Sequence, residues 1–122
     1  MENKSCTDLQ VWQHCRKLVA EVYAASQNFP KHELFGLTNQ LRRAAVSIPS
    51  NIAEGCGRQS LRDTINFLFI ARGSLYELET QLYVALDLNY LSTDETEALQ
   101  AHLVTCKKLL HGFINHYRQQ LA

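Results

Sequence analysis

Four polar side chains near the middle of the chain are of the types used in acid–base chemistry. Glu54 and Glu79 are carboxylates, Arg72 is a permanent cation, and Asn51 lies about one helical turn before Glu54. Paired carboxylates beside an arginine can transfer protons. A buried polar network that fixes the alignment of two helices is the favoured interpretation, because charged groups on an apolar surface require partners. We expect Arg72 to contact Glu54 or Glu79.

Other candidate chemistry is less specific. His102 and Cys106 are four residues apart and could reach one metal ion, but a structural zinc site takes four ligands. Ser47 and Ser50 flank Pro49 without a histidine and an acid at a recognisable spacing, so nucleophilic catalysis is unsupported. We therefore expect no enzymatic activity, no metal and no cofactor.

Four arginines surround the second predicted helix and its end: Arg42, Arg43, Arg58 and Arg62. Such a cluster could contact the phosphates of RNA or DNA, but no aromatic stacking platform is interleaved with it, which favours a solvated face. The 12 basic and 12 acidic residues of the chain cancel. Residues 1–62 carry eight basic and five acidic side chains, and residues 63–122 carry four and seven. This asymmetry could steer two copies together head to tail.

The composition is typical of one small globular domain of 122 residues. No stretch has the order of a signal peptide, and no apolar run reaches the ~18 residues of a membrane span, so we expect a cytoplasmic protein. Its cysteines should then be reduced thiols, and none forms a C-x-x-C pair. They are Cys6, Cys15, Cys56 and Cys106.

Apolar residues recur at helical spacing along the chain, without the sustained alternation of a strand. The pattern predicts helices over residues 8–27, 35–55, 61–88 and 93–120. Short connections between long helices favour antiparallel neighbours, so we predict an all-α, up-down-up-down four-helix bundle in one domain, 1–122. Pro49 lies inside the second helix, where its ring and missing N–H predict a kink in one continuous helix.

The helix ends carry local signals. Asp8 and Ser60 are suitable N-caps for the first and third helices. Asn89 can adopt the left-handed conformation that ends the third helix. Ser92 or Thr93 can cap the fourth helix, whose first turn is acidic, as the helix dipole favours.

The third predicted helix is more apolar than a core-facing helix needs to be. Its apolar residues cover roughly 200° of the circumference, whereas those of the first and fourth helices cover roughly 140°. The apolar surface of this helix that its neighbours do not bury is either covered by the termini and the 28–35 connection or faces another chain. Large exposed apolar patches mark interaction sites, which favours another chain. We predict self-association through residues of this helix, with these interface candidates: Phe67, Ile70, Leu78, Val84 and Leu88.

The segment QLRRAAVSIPSNIAEG, residues 40–55, is the most distinctive in the chain, with LQVW at 9–12 and ELFGLT at 33–38 before it and GSLYELE at 73–79 after it. Together these motifs resemble the bacterial four-helix bundle proteins first noticed in intervening sequences of large-subunit ribosomal RNA genes. The resemblance covers about residues 8–118. It implies an up-down bundle that assembles into a small ring, typically of five subunits, and most members have no established activity. A related group, the accessory proteins of diversity-generating retroelements, binds a reverse transcriptase and nucleic acid.

These observations favour a non-catalytic homo-oligomer that acts as a scaffold or adaptor and has no membrane partner, and the resemblance implies a ring of five subunits. The alternative is a nucleic-acid-binding accessory protein that uses the arginine cluster, with RNA, DNA or another protein as partner.

Overall fold

Four α-helices account for most of the chain, and the computed structural model describes residues 6–121. Two short 3-10 turns, Cys6–Asp8 and Lys31–Glu33, precede the first and second helices. No strand occurs between residues 6 and 121. The helices are α1 (Gln10–Ser26), α2 (Leu37–Cys56), α3 (Leu61–Asp87) and α4 (Thr93–Leu121).

Each helix packs against two neighbours: α1 against α2 and α4, and α3 against α2 and α4. The connections are short, so consecutive helices run antiparallel and the predicted all-α four-helix bundle is confirmed. Leucine and isoleucine side chains from all four helices fill the core, among them Leu18, Ile48, Leu75 and Leu103, each 0% exposed. In the described part of the chain, no helix has the length and hydropathy needed to cross a membrane.

The second helix continues through Pro49, which is buried just past the middle of the helix. Proline has no N–H, so the carbonyl of Ala45 lacks its usual helical partner. The apolar side chains on both sides of the proline, Ile48 and Ile52, are nevertheless fully buried. Continuous burial on one face therefore keeps the segment a single helix, as predicted.

Local hydrogen bonds at the ends of α3 and α4 follow the sequence signals. Ser60 caps α3, because its Oγ accepts a bond of 3.1 Å from the backbone N–H of Asp63. Ser92 and Glu95 form a reciprocal capping box at α4, with bonds of 3.0 and 3.1 Å. Asn89 ends α3 with a left-handed φ of 63°.

The start of α1 differs from the prediction. Asp8 is the last residue of the Cys6–Asp8 turn and does not cap the helix. Leu9 occupies the N-cap position, without a side-chain cap bond. The 3-10 turn delays the start of α1 to Gln10, and this shift moves Asp8 out of the capping position.

Candidate interaction surfaces

The predicted polar network is not formed by the four residues proposed for it. Glu54 is exposed and pairs with Arg58, one turn later on the helix surface, at 2.9 Å. Glu79 instead pairs with Lys107 of α4 at 2.7 Å. The guanidinium of Arg72 lies over the ring of Phe69, 4.6 Å from its centroid. The expected contact of Arg72 with Glu54 or Glu79 is therefore wrong, since each carboxylate has a closer cation.

A different polar link joins α2 and α3. Asn51 donates from its amide to the backbone oxygen and to the Oγ of Ser47, both at 2.8 Å. Ser74 of α3 donates to the same Ser47 Oγ at 2.9 Å. Two hydroxyls and an amide carry no proton that titrates near neutral pH. This link positions two helices and offers no acid or base for catalysis.

The same two helices approach closely where α2 ends. Thr64 donates from its hydroxyl to the carbonyl of Gly55 at 2.9 Å. A Cβ at position 55 would lie 3.2 Å from the carbonyl oxygen of Thr64 and 3.3 Å from the Cβ of Phe67. A side chain at position 55 would therefore require α3 to move away by a few tenths of an ångström.

The candidate metal ligands on α4 have separate partners. His102 lies 2.8 Å from Glu21 of α1 through its Nδ1. Cys106 is fully buried against Cys15, and their hydrogen bond, with burial, raises the pKa of the Cys15 thiol. Over residues 6–121, no group of three or more His, Cys, Asp or Glu side chains is placed to hold a metal ion.

The two remaining cysteines also meet. The Sγ atoms of Cys6 and Cys56 are 2.6 Å apart, which joins the 3-10 turn before α1 to the end of α2. Burial, and then the hydrogen bond with Cys56, raises the pKa of the Cys6 thiol. Both thiols are free.

The arginine cluster divides into two parts. Arg42 donates to the Oγ of Ser26 at 2.9 Å and stacks on Tyr23 at 4.6 Å. Arg58 pairs with Glu54 and lies over Phe67. The part of α2 from Arg42 to its end at Cys56 is about 21 Å long, and Arg58 lies beyond that end. Arg43 and Arg62 are exposed, one in each part, so the four side chains do not form one continuous patch.

The outer face of α3 mixes apolar side chains with polar ones, among them Asn66, Glu77 and Thr80, and the interface candidates divide. Ile70, Val84 and Leu88 are 51%, 39% and 47% exposed. Leu78 is fully buried, so its assignment to an interface is wrong. Its side chain points towards the core between α2 and α4, which the angular width of the stripe alone does not reveal. Phe67 is half-buried under the Arg58 guanidinium.

Sequence reasoning missed an exposed apolar pair in the connection between α1 and α2. Phe35 is 90% exposed and Leu34 is 50% exposed. The connection is anchored by Glu33, which accepts bonds from the hydroxyl of Tyr90 at 2.8 Å and from the N–H of Leu37 at 3.2 Å. The Tyr90 bond and then the Leu37 bond lower the pKa of Glu33. The sequence does carry a signal for this pair, because Leu34 and Phe35 are consecutive large apolar residues that belong to no helical apolar stripe.

The chain is a small antiparallel helical bundle. A Ser47–Ser74 hydrogen bond links α2 to α3, and large apolar side chains are exposed on α3 and in the α1–α2 connection. The chain belongs to the 23S rRNA-intervening sequence protein family, whose family model matches residues 7–112. This confirms the resemblance found in the sequence.

A solved structure is similar to this chain over most of the length of both proteins. It is the crystal structure of a protein of unknown function from the S23 ribosomal protein family of Bacteroides thetaiotaomicron VPI-5482. The TM-score is 0.76 at 26% sequence identity, over 85% of this chain and 97% of that one. Among curated proteins, none matches this chain.

Proposed function

We propose that the chain is a non-catalytic, cytoplasmic subunit of a homo-oligomeric ring of five copies, which acts as a scaffold or adaptor. The observation that carries this proposal is the number of large apolar side chains exposed on one helix. Five of the exposed large apolar residues belong to α3 or to its C-cap: Ile70, Tyr76, Tyr83, Val84 and Leu88. Large exposed apolar side chains that recur along one helix are typical of an interface.

Apolar burial on the scale of a small interface is comparable to the cost of association. Burying about 600 Å² of apolar surface contributes on the order of 15 kcal/mol before costs. Association costs about 4–15 kcal/mol in lost freedom of motion. The number of subunits, five, comes from the resemblance described above.

The polar residues support a structural role. Glu54, Glu79 and Arg72 each have a partner within the chain, and the Ser47–Ser74 link holds two helices together. The nucleic-acid alternative has less support, because two of its four arginines, Arg42 and Arg58, are engaged in intramolecular contacts.

Light scattering with in-line chromatography tests the proposal over a dilution series. We expect the wild-type mass to be five times that of the subunit at high concentration. Val84→Asp and Leu88→Asp should dissociate the ring, because each places a charge in the proposed interface. Leu121→Asp is the matched control, since Leu121 is 46% exposed but lies on α4. A wild-type chain that stays monomeric at every concentration contradicts the proposal.

A further inference from the structure

Phe35 is the most exposed large apolar side chain in the described part of the chain, at 90%. It follows the Lys31–Glu33 turn, which the bond between Glu33 and Tyr90 holds against the α3–α4 connection. An aromatic ring on an anchored connection loses little conformational freedom when it binds. Phe35 therefore has the properties of a preorganised anchor residue.

A groove of about 430 Å³ lies between α3 and α4 near the same end of the bundle. Tyr83 and Leu86 of α3 and Ala101 and Val104 of α4 form its apolar lining, and Glu97 adds a carboxylate. Tyr83 and Val104 are 50% and 42% exposed, so the groove is open to solvent. Its volume is in the range of clefts that bind a ring-sized apolar group.

The charges around the two surfaces are opposite. Residues 73–106 contain six Asp or Glu and no Lys or Arg, and this segment forms the groove. Lys31 is exposed four residues before Phe35 and lines a shallow pocket together with Leu34 and Arg42. Glu33 is a carboxylate that is bonded to Tyr90 and Leu37 of its own chain. Opposite potentials favour contact between the connection of one chain and the groove of another.

Topology places the surfaces suitably for a closed ring. The connection joins α1 to α2 and reaches Tyr90 at the end of the bundle, whereas the groove lies along the side of the bundle between α3 and α4. Both lie at the end where α1 and α3 finish and where α2 and α4 begin. When one chain contacts the next through two different surfaces, the same contact can repeat until a ring closes. Two surfaces at the same end of the bundle allow a ring axis parallel to the helices.

We propose that Phe35 of one copy inserts into the α3–α4 groove of the next copy. This inference rests on the proposed homo-oligomer and specifies which two surfaces join. Lys31 then faces the acidic segment around Glu97. The contact is heterologous, so each subunit contributes its Phe35 to one neighbour and its groove to the other.

Two surface variants test the contact by light scattering. Phe35→Ser removes the anchor, and Ala101→Arg fills the groove and adds a charge that repels Lys31. Each should raise the concentration of half-assembly at least about 30-fold, the change expected for a central interface residue. Leu121→Ser, which removes an exposed apolar side chain at the far end of α4, should leave it unchanged. Circular dichroism checks that each variant remains helical.

Mixing the two variants gives the decisive result. The Phe35→Ser chain keeps a working groove, and the Ala101→Arg chain keeps its Phe35. An equimolar mixture should therefore form a dimer and nothing larger, because only one productive contact exists between the two. Complete rings from either variant alone overturn this inference while leaving the proposed oligomer intact. A monomeric wild-type chain overturns both.

Cross-linking locates the neighbour of Phe35 directly. p-Benzoylphenylalanine at position 35, irradiated in the wild-type background, should attach to an adjacent chain within residues 73–107. Trypsin releases that segment as one peptide, because no Lys or Arg precedes Lys107 after Arg72. Intermolecular attachment to any other peptide overturns the assignment of the groove.

Discussion

Gly55 and Gly73 both lie inside helices, but their surroundings predict opposite effects of one added methyl group. At Gly55 the new Cβ would lie 3.2 Å from the Thr64 carbonyl oxygen and 3.3 Å from the Phe67 Cβ. Both contacts are with the backbone, or the first side-chain atom, of α3, so they cannot be relieved by rotating a side chain. At Gly73 nothing lies within 4 Å of the added atom.

The magnitudes follow from two terms. Replacing glycine by alanine inside a helix contributes about 0.5–1 kcal/mol of stability, and this term is common to both sites. Overpacking at a rigid contact costs about 1–3 kcal/mol, and only Gly55→Ala incurs it. We expect Gly73→Ala to stabilise the protein by about 0.5–1 kcal/mol. Gly55→Ala should be about 1–3 kcal/mol less stable than Gly73→Ala.

Urea denaturation followed by circular dichroism measures this difference, with all variants at one protein concentration so that assembly contributes equally. The midpoint of Gly73→Ala should rise above the wild-type value, and that of Gly55→Ala should fall below that of Gly73→Ala. Equal stabilisation by the two substitutions would show that α3 does not crowd α2 at Gly55. The close approach of α3 to the end of α2 at Gly55 would then be refuted.

Three further predictions concern thiols and charge. The folded state raises the pKa of Cys15, so above about pH 8.5 the unfolded thiol ionises while the folded one keeps its proton. The contribution of the protonated Cys15 thiol to the free energy of unfolding is fully present below that pH. Above it, this contribution falls by about 1.4 kcal/mol per pH unit. Urea midpoints between pH 7 and pH 10 should therefore fall less steeply for Cys15→Ala than for the wild type, and parallel curves would contradict the shift. Oxidation by diamide should join Cys6 to Cys56, whose Sγ atoms are 2.6 Å apart, and intact mass spectrometry should detect the loss of two hydrogens. Cys56→Ser should prevent that loss. Fluorescence polarisation with structured RNA should show no binding at low salt, and binding that weakens steeply with salt and depends on Arg43 would instead support the nucleic-acid alternative.

Features determined by neighbouring residues could be predicted from the sequence. Ser60 and Ser92 cap their helices because a short hydroxyl side chain reaches the N–H groups of the following turn. Asn89 adopts a left-handed φ because its side chain tolerates that conformation better than most. The four-helix architecture follows from the long apolar stripes and short connections. Asp8 is the exception, since the preceding 3-10 turn shifts the start of α1.

Features that depend on the relative placement of helices could not be predicted from the sequence. Arg72 and Glu79 share the apolar side of α3, but Lys107 of α4 is close enough to pair with Glu79 at 2.7 Å. Arg72 instead rests its guanidinium on Phe69. Leu78 belongs to the same broad stripe as its apolar neighbours, yet it is completely buried because α3 packs against both α2 and α4. A single helix wheel gives an angular width and does not say where the neighbouring helices lie.

A ring with an odd number of subunits needs two different contact surfaces on each chain, and the exposed residues of α3 provide only one. A contact between two identical patches joins subunits in pairs around a two-fold axis, so it ends at a dimer. Five subunits can close only through a contact between two different surfaces of the chain. The exposed apolar residues of α3 provide area for one of them. We propose Phe35 as the second, because its connection carries the exposed Lys31, whereas residues 73–106 contain no Lys or Arg.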